Sequence, residues 1–99
     1  FTDVARGALF DGAWRVSEHA DRIGVRLIGA PLARRVDGEL ASEATVPGSI
    51  QVAGDGMPTI LLADRPVTGG YPVIAIVAPS SLDAVAQVRP GQEVRFRHA

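Results

Sequence analysis

At 99 residues the chain is long enough for one compact domain and too short for two. Apolar residues make up 46% of it, which permits a buried core and excludes wholesale disorder. Ten basic residues against eleven acidic ones leave a net charge of -1, so no electrostatic footprint marks nucleic acid or an anionic membrane as a partner.

There is no cysteine, so the fold forms without disulfides, in agreement with a cytoplasmic protein. No apolar stretch approaches the ~20 residues of a transmembrane helix. The opening Phe1-Thr2-Asp3-Val4 has neither the basic head and apolar body of a signal peptide nor an initiator methionine. The chain therefore reads as a processed product, an excised segment or one part of something longer.

Taken in order, Trp14-Arg15-Val16-Ser17-Glu18 and Val25-Arg26-Leu27-Ile28 partly alternate apolar and polar residues, as half-buried strands do. Ser49–Val52 and Thr59–Ala63 flank Ala53–Pro58, whose Asp55-Gly56 pair readily takes positive φ and predicts a hairpin. Val73–Val77 is apolar throughout, as expected of a strand covered on both faces. One helix is predicted over 81–88: Ser81 as its cap, Asp83 at its positive end, and Leu82, Val85 and Val88 at three-residue spacing. Arg89-Pro90-Gly91 ends it, and Val94–Arg97 alternates as a final strand. Glycine and proline recur every few residues, which favours a mostly β unit, with residues 1–99 forming a single domain or a fragment of one.

Three stretches carry chemistry. In "ADRPVTGGYP", residues 63–72, Asp64 and Thr68 can accept hydrogen bonds from loop amides, Gly69-Gly70 allow close approach of a backbone or ligand, and a charged pair and Tyr71 stand beside that glycine pair. These residue types suit a well-made surface loop and a ligand loop alike. In "SEHADRIGVRL", residues 17–27, Asp21 and Arg22 precede Gly24 at a turn, where a surface ion pair would be worth little. Ser17, His19 and Asp21 share one face if extended, but a hydrolytic triad is defined by converging geometry and not by alternation. In "ASEATVPGSIQV", residues 41–52, Glu43 is a candidate acid, base or cation partner, and Gln51 should face solvent or a cleft if Ile50 and Val52 face a core. His98 reads as a solvated tail residue; two distant histidines without cysteine make no zinc pattern. Neither "GDG" nor "GG" has the lysine and following helix of a phosphate loop.

Read together, "DRIGVRL", "SEATVPGSIQV", "DGMPTILLADRPVTGGYPVIAIV" and "QVRPGQEVRF" resemble the C-terminal part of the family of C-type subunits of 5-oxoprolinase, also called allophanate hydrolase subunit 2, KipA-like, or the biotin-dependent carboxyltransferase subdomain. The resemblance runs from about Trp14 to Phe96. It implies a mainly β fold, part of a cyclophilin-like barrel, with the N-terminal portion of the family pattern missing. Small departures stand at Ala20, Ala44, Pro66 and Val67, where the family commonly has serine, glycine and a Gln-Thr pair.

The resemblance further implies a subunit inactive alone. With a B-type (KipI-like) and an A-type subunit, such a protein opens 5-oxoproline with ATP. In urea carboxylase the related domain moves a carboxyl group from carboxybiotin to urea, and KipA-like members bind a kinase inhibitor. ATP or biotin would then be held by partner chains, with no cofactor or metal on this one. The site residues it points to are Glu43 and Asp64 for proton transfer, and Asp21, Arg22, Gln51, Thr68, Gly69, Gly70 and Tyr71 for substrate binding.

Overall fold

The structure is a computed structural model describing residues 3–19, 21–32, 43–65, 68–69 and 71–98, with residues 3, 43, 68 and 69 placed through their backbone. The elements are α1 (Asp3–Asp11), β1 (Trp14–Val16), β2 (Gly24–Ile28), β3 (Glu43–Ala44), β4 (Ser49–Val52), β5 (Pro58–Leu61), β6 (Thr68–Gly69), β7 (Val73–Ile76), a 3-10 turn (Pro79–Ser81), α2 (Leu82–Ala86) and β8 (Glu93–Val94). Six strands form one antiparallel sheet in the order β7-β4-β5-β2-β1-β8; β3 and β6 pair as a separate ribbon. The sheet is open, with β7 at one edge and β8 at the other. The mainly β expectation stands, as an unclosed sheet.

Alternation does what the sequence predicts in β1, where Trp14 and Val16 are buried and Arg15 is exposed, and in β2, where Val25 and Leu27 point inward. The central β4 is buried along its whole length. Ile50, Val52, Ile60 and Leu27 join Trp14 and Val16 in one core, each nearly inaccessible to solvent. The β4–β5 hairpin turns at Asp55-Gly56: Gly56 has φ +82°, and Asp55 Oδ1 accepts the Met57 amide at 2.9 Å. Asp55 also pairs with Arg26 of β2, a half-exposed contact that contributes little.

Several expectations are corrected. Helix α1 is an element the sequence pattern conceals: Ala5 and Leu9, four residues apart, bury one face against the core, while Gly7 and flanking polar residues dilute the helical pattern. It is fastened by Trp14, whose Nε1 donates to the Leu9 carbonyl at 3.0 Å in the interior. Strand β7 is not covered on both faces. It is an edge strand, and Ile76 is 61% exposed. The predicted helix over 81–88 is confined to Leu82–Ala86; Ser81 stands at its N-cap without a side-chain capping bond, because a 3-10 turn leads into it. The final strand is Glu93–Val94 alone, although Phe96 still packs against the core.

The long 62–72 connection has a topological reason. β5 and β7 pair on opposite sides of β4, so the chain must cross the end of β4 and cannot make a tight hairpin. Two bonds hold the returning chain to β4: the Val52 amide donates to the Pro72 carbonyl at 3.1 Å, and Gln51 Nε2 donates to the Tyr71 carbonyl at 3.4 Å.

Candidate functional site

A cleft of about 600 Å³ opens where the turn before β2, the segment after β5 and α2 meet. Antiparallel pairing sets Gly24 opposite Leu61, and this registration continues past the strand ends. The Leu62 amide donates to the Ile23 carbonyl at 2.9 Å and the Asp64 amide to the Arg22 carbonyl at 3.3 Å. Arg22 and Asp64, 42 positions apart in sequence, are thereby fixed side by side. Both are exposed at the cleft, with Pro47, Leu62 and Leu82 as its apolar lining.

Asp21 also lines the cleft, but its Oδ1 is already engaged, accepting the Ile23 amide at 2.9 Å and the Gly24 amide at 3.1 Å. Its first role is to shape the turn that presents Arg22. A third carboxylate comes from α2: Asp83, which the sequence pattern assigns to the helix N-terminal region, faces the same cleft. Three aspartates around one arginine make a mixed, net acidic site. Its guanidinium can take a carboxylate or a developing oxyanion by paired bonds, and its carboxylates can take protons or hold nitrogen donors.

The other expected residues lie elsewhere. Glu43 pairs with Gly69, and Ala44 with Thr68, so the ribbon of β3 and β6 unites three candidates that the sequence spreads over 26 positions. Gly70, with Ala20, Pro66 and Val67, lies outside the described residues. Gln51 faces neither solvent nor the cleft. It is 8% exposed, because the crossing chain covers it and takes up its amide. Tyr71 is half-exposed and does not line the cleft.

Arg65 is not among the expected site residues, yet it links the two groups. Its Nη1 donates to the Ala63 carbonyl at 3.3 Å and its Nη2 to the Thr45 carbonyl at 3.5 Å, while Nε is buried with no partner among the described residues. It ties the cleft segment to the chain leaving the β3–β6 ribbon. Ser17, His19 and Asp21 do not converge as a triad: Ser17 is buried, its Oγ accepts the His19 amide at 3.1 Å, and Asp21 serves its own turn. His98 is exposed, as expected of a solvated tail residue, and also stacks on Phe10, ring centroids 3.9 Å apart.

Among the described residues no group of three or more His, Cys, Asp or Glu is arranged to hold a metal ion, and no helix is long and apolar enough to cross a membrane. All ten basic residues of the chain are arginines. Without a lysine the chain offers no amine side chain for covalent biotin and no phosphate-loop lysine.

The chain matches, over residues 1–98, the family model described as carboxyltransferase domain, subdomain A and B. It is 36% identical over 96 residues to the C-type subunit of 5-oxoprolinase from Escherichia coli K12, covering 97% of this chain and 31% of that one. It is 43% identical over 83 residues to the C-type subunit of 5-oxoprolinase from Haemophilus influenzae, covering 84% and 27%. Among solved structures it resembles that of the Kluyveromyces lactis urea carboxylase, with a TM-score of 0.87 and 32% identity over 97% of this chain and 9% of that one. The chain thus spans about a third or less of the length of these relatives. With the match running along virtually its whole length and the strand framework shared, the chain belongs to the family of carboxyltransferase domains, subdomains A and B.

Proposed function

We propose that this chain supplies one face of a substrate site in a protein like the C-type subunit of 5-oxoprolinase. The whole protein would work in the cytoplasm as part of a heteromer, beside a B-type (KipI-like) and an A-type subunit, in the ATP-dependent opening of 5-oxoproline to glutamate. The observation that supports this reading most directly is the backbone bond that sets Asp64 beside Arg22 at the cleft, in a chain 36% identical to a component of that enzyme.

The reaction adds water across the lactam C–N bond: the carbonyl carbon gains oxygen, the C–N bond breaks, and the nitrogen gains a proton. Arg22 is assigned to the substrate carboxylate or the developing oxyanion through paired donors. Asp64 is assigned to proton transfer at the nitrogen. Asp21 holds the turn and lends its remaining oxygen to the site. Glu43, Thr68, Gly69, Gly70 and Tyr71 remain assigned to substrate binding in the whole protein, with Glu43 as the alternative proton carrier. ATP chemistry belongs to the partner subunits.

Carboxyl transfer is the second reading, favoured by the likeness to the K. lactis urea carboxylase. When bound, carboxybiotin would supply an activated carboxyl group. The lysine-free chain would receive it on another polypeptide, and its residues would orient the acceptor. A regulatory module that only binds a KipI-like protein is the third.

The experiment measures ATP-dependent glutamate formation from 5-oxoproline by A- and B-type subunits, with and without the full-length protein that contains this chain. Turnover that requires it, and that falls at least a hundredfold in a folded Asp64→Ala variant, is the expected result. Turnover unchanged in that variant removes Asp64 as proton carrier. A stable B-type complex with no turnover points to carboxyl transfer or regulation instead.

A further inference from the structure

Arg22, Asp64 and Asp83 all stand exposed at the cleft, yet among the described residues none of their side chains forms an ion pair or a hydrogen bond. Exposed opposite charges gain little by closing on each other, so a ligand can engage all of them. The backbone bond from the Asp64 amide to the Arg22 carbonyl keeps a cation and an anion adjacent. That pairing is complementary to the head of an α-amino acid, whose carboxylate and ammonium share one carbon. Asp83 adds a second carboxylate from a separate element, α2, and Pro47, Leu62 and Leu82 offer an apolar bed.

We propose that the cleft binds a free α-amino acid in preference to its lactam, and that Asp83 is the specificity-determining residue. The two ligands are glutamate and 5-oxoproline, an identity that rests on the function proposed above. Both carry a carboxylate for Arg22, so the distinction falls on the nitrogen. The lactam nitrogen is neutral and has a single N–H, which Asp64 alone can accept. Ring opening turns it into an ammonium with three N–H donors and a full charge, which engages Asp64 and Asp83 together. The methylenes then lie along the apolar bed. The new carboxylate is left to solvent, because Arg22 is the only cation among the described residues lining the cleft. The site therefore holds product more tightly than substrate, and glutamate competes with 5-oxoproline for it. Asp83 acts as the nitrogen acquires charge, so its loss lowers kcat and leaves KM for 5-oxoproline nearly unchanged.

The test titrates L-glutamate, 5-oxoproline and glutarate, which lacks the ammonium, into the full-length protein that contains this chain, by calorimetry. Glutamate is expected to bind about tenfold tighter than either of the others, and Asp83→Asn to remove that advantage while 5-oxoproline affinity stays within about twofold. Asp83→Glu, which retains the carboxylate, should keep most of it, and Arg22→Gln should weaken all three ligands. Competitive inhibition of turnover by glutamate, weakened in Asp83→Asn, is the kinetic counterpart. The inference is overturned if glutamate binds no tighter than glutarate, or if a folded Asp83→Asn variant binds glutamate as the wild type does. Should that variant fail to fold, the comparison of ligands on the wild-type protein decides. Glutamate binding that depends on Asp83 in a protein that supports no turnover upholds the inference and removes the hydrolase reading. Turnover that requires the protein, without any preference for glutamate, removes the inference and leaves that reading standing.

Discussion

The side-chain amide of Gln51 donates to the backbone carbonyl of Tyr71 at 3.4 Å, so a buried residue of the central strand holds the loop that the family resemblance singles out. Gln51→Leu keeps much of the volume and removes the donor; the expected loss is about 1 kcal/mol. Gln51→Glu sets a buried carboxylate against a carbonyl and should lose more, about 3 kcal/mol at neutral pH. Urea denaturation of both variants checks the order. Equal stability of the two would show that Gln51 does not hold the loop.

Arg65 spans two carbonyls, those of Ala63 and Thr45, with a planar guanidinium. A lysine has one compact ammonium and cannot reproduce that span. Arg65→Lys is therefore expected to cost about 1 kcal/mol despite its retained charge. Amide exchange should also quicken in the residues 43–46 and 63–65 more than in the β1–β2 hairpin.

Asp83 is exposed at the start of a short helix, where its interaction with the helix end is worth at most about 1 kcal/mol. Asp83→Asn should leave the melting temperature nearly unchanged. In the assembled protein it should lower turnover about tenfold or more if the cleft binds substrate, as proposed. Wild-type turnover in this variant would confine the working site to Arg22 and Asp64 or move it to the ribbon.

Gly48 and Gly91 separate two causes of glycine dependence. Both have positive φ, 94° and 82°. A Cβ on Gly48 would meet the Val77 carbonyl oxygen at 2.9 Å, whereas one on Gly91 meets nothing within 4 Å. Gly91→Ala should cost about 1 kcal/mol from backbone conformation alone. Gly48→Ala should cost more, because the Gly48 carbonyl also accepts the Val77 amide at 2.8 Å and the strand end cannot retreat without breaking that bond. Paired thermal melts test the difference.

Trp14 is the only tryptophan, 1% exposed, and bonded to the Leu9 carbonyl. Trp14→Phe keeps an aromatic filling and loses that bond and some volume, for an expected cost of about 2–3 kcal/mol. Far-UV circular dichroism should show a disproportionate loss of helical signal, since α1 is fastened there.

The strand framework was legible wherever side chains alternate across one covered face, as at Trp14–Val16 and Val25–Leu27. It failed at the rim. Val73–Ile76 has the composition of a central strand, but composition does not reveal neighbours, and among the described strands this one pairs with β4 alone. Helix α1 was hidden because its buried face consists of Ala5 and Leu9 alone, with Gly7 between them. At the site, Asp21, Arg22 and Asp64 were reached through a resemblance to family motifs. Asp83 was out of reach, because it arrives at the cleft only after the chain has crossed β4, returned along β7 and entered α2. Gln51 was misdirected for a related reason: alternation says which face a residue takes, and a loop from elsewhere decided that this face would be covered as well.

The pairing of β1 with β8 sets the order in which the sheet can be completed. Val16 exchanges backbone bonds with Gly91 and Gln92, Arg15 reaches the Gly91 carbonyl with Nη1 at 3.1 Å, and Trp14 lies opposite Val94. The earliest of these strands to leave a ribosome thus waits for the latest. Until residue 94 emerges, one side of β1 has no partner, and the strand carrying Trp14 lies open to competing pairings. Contacts of such sequence separation slow folding. A stop codon at position 91 would take both the Val94 partner and the Gly91–Gln92 bonds, so a loss far along the chain would unseat a strand near its start.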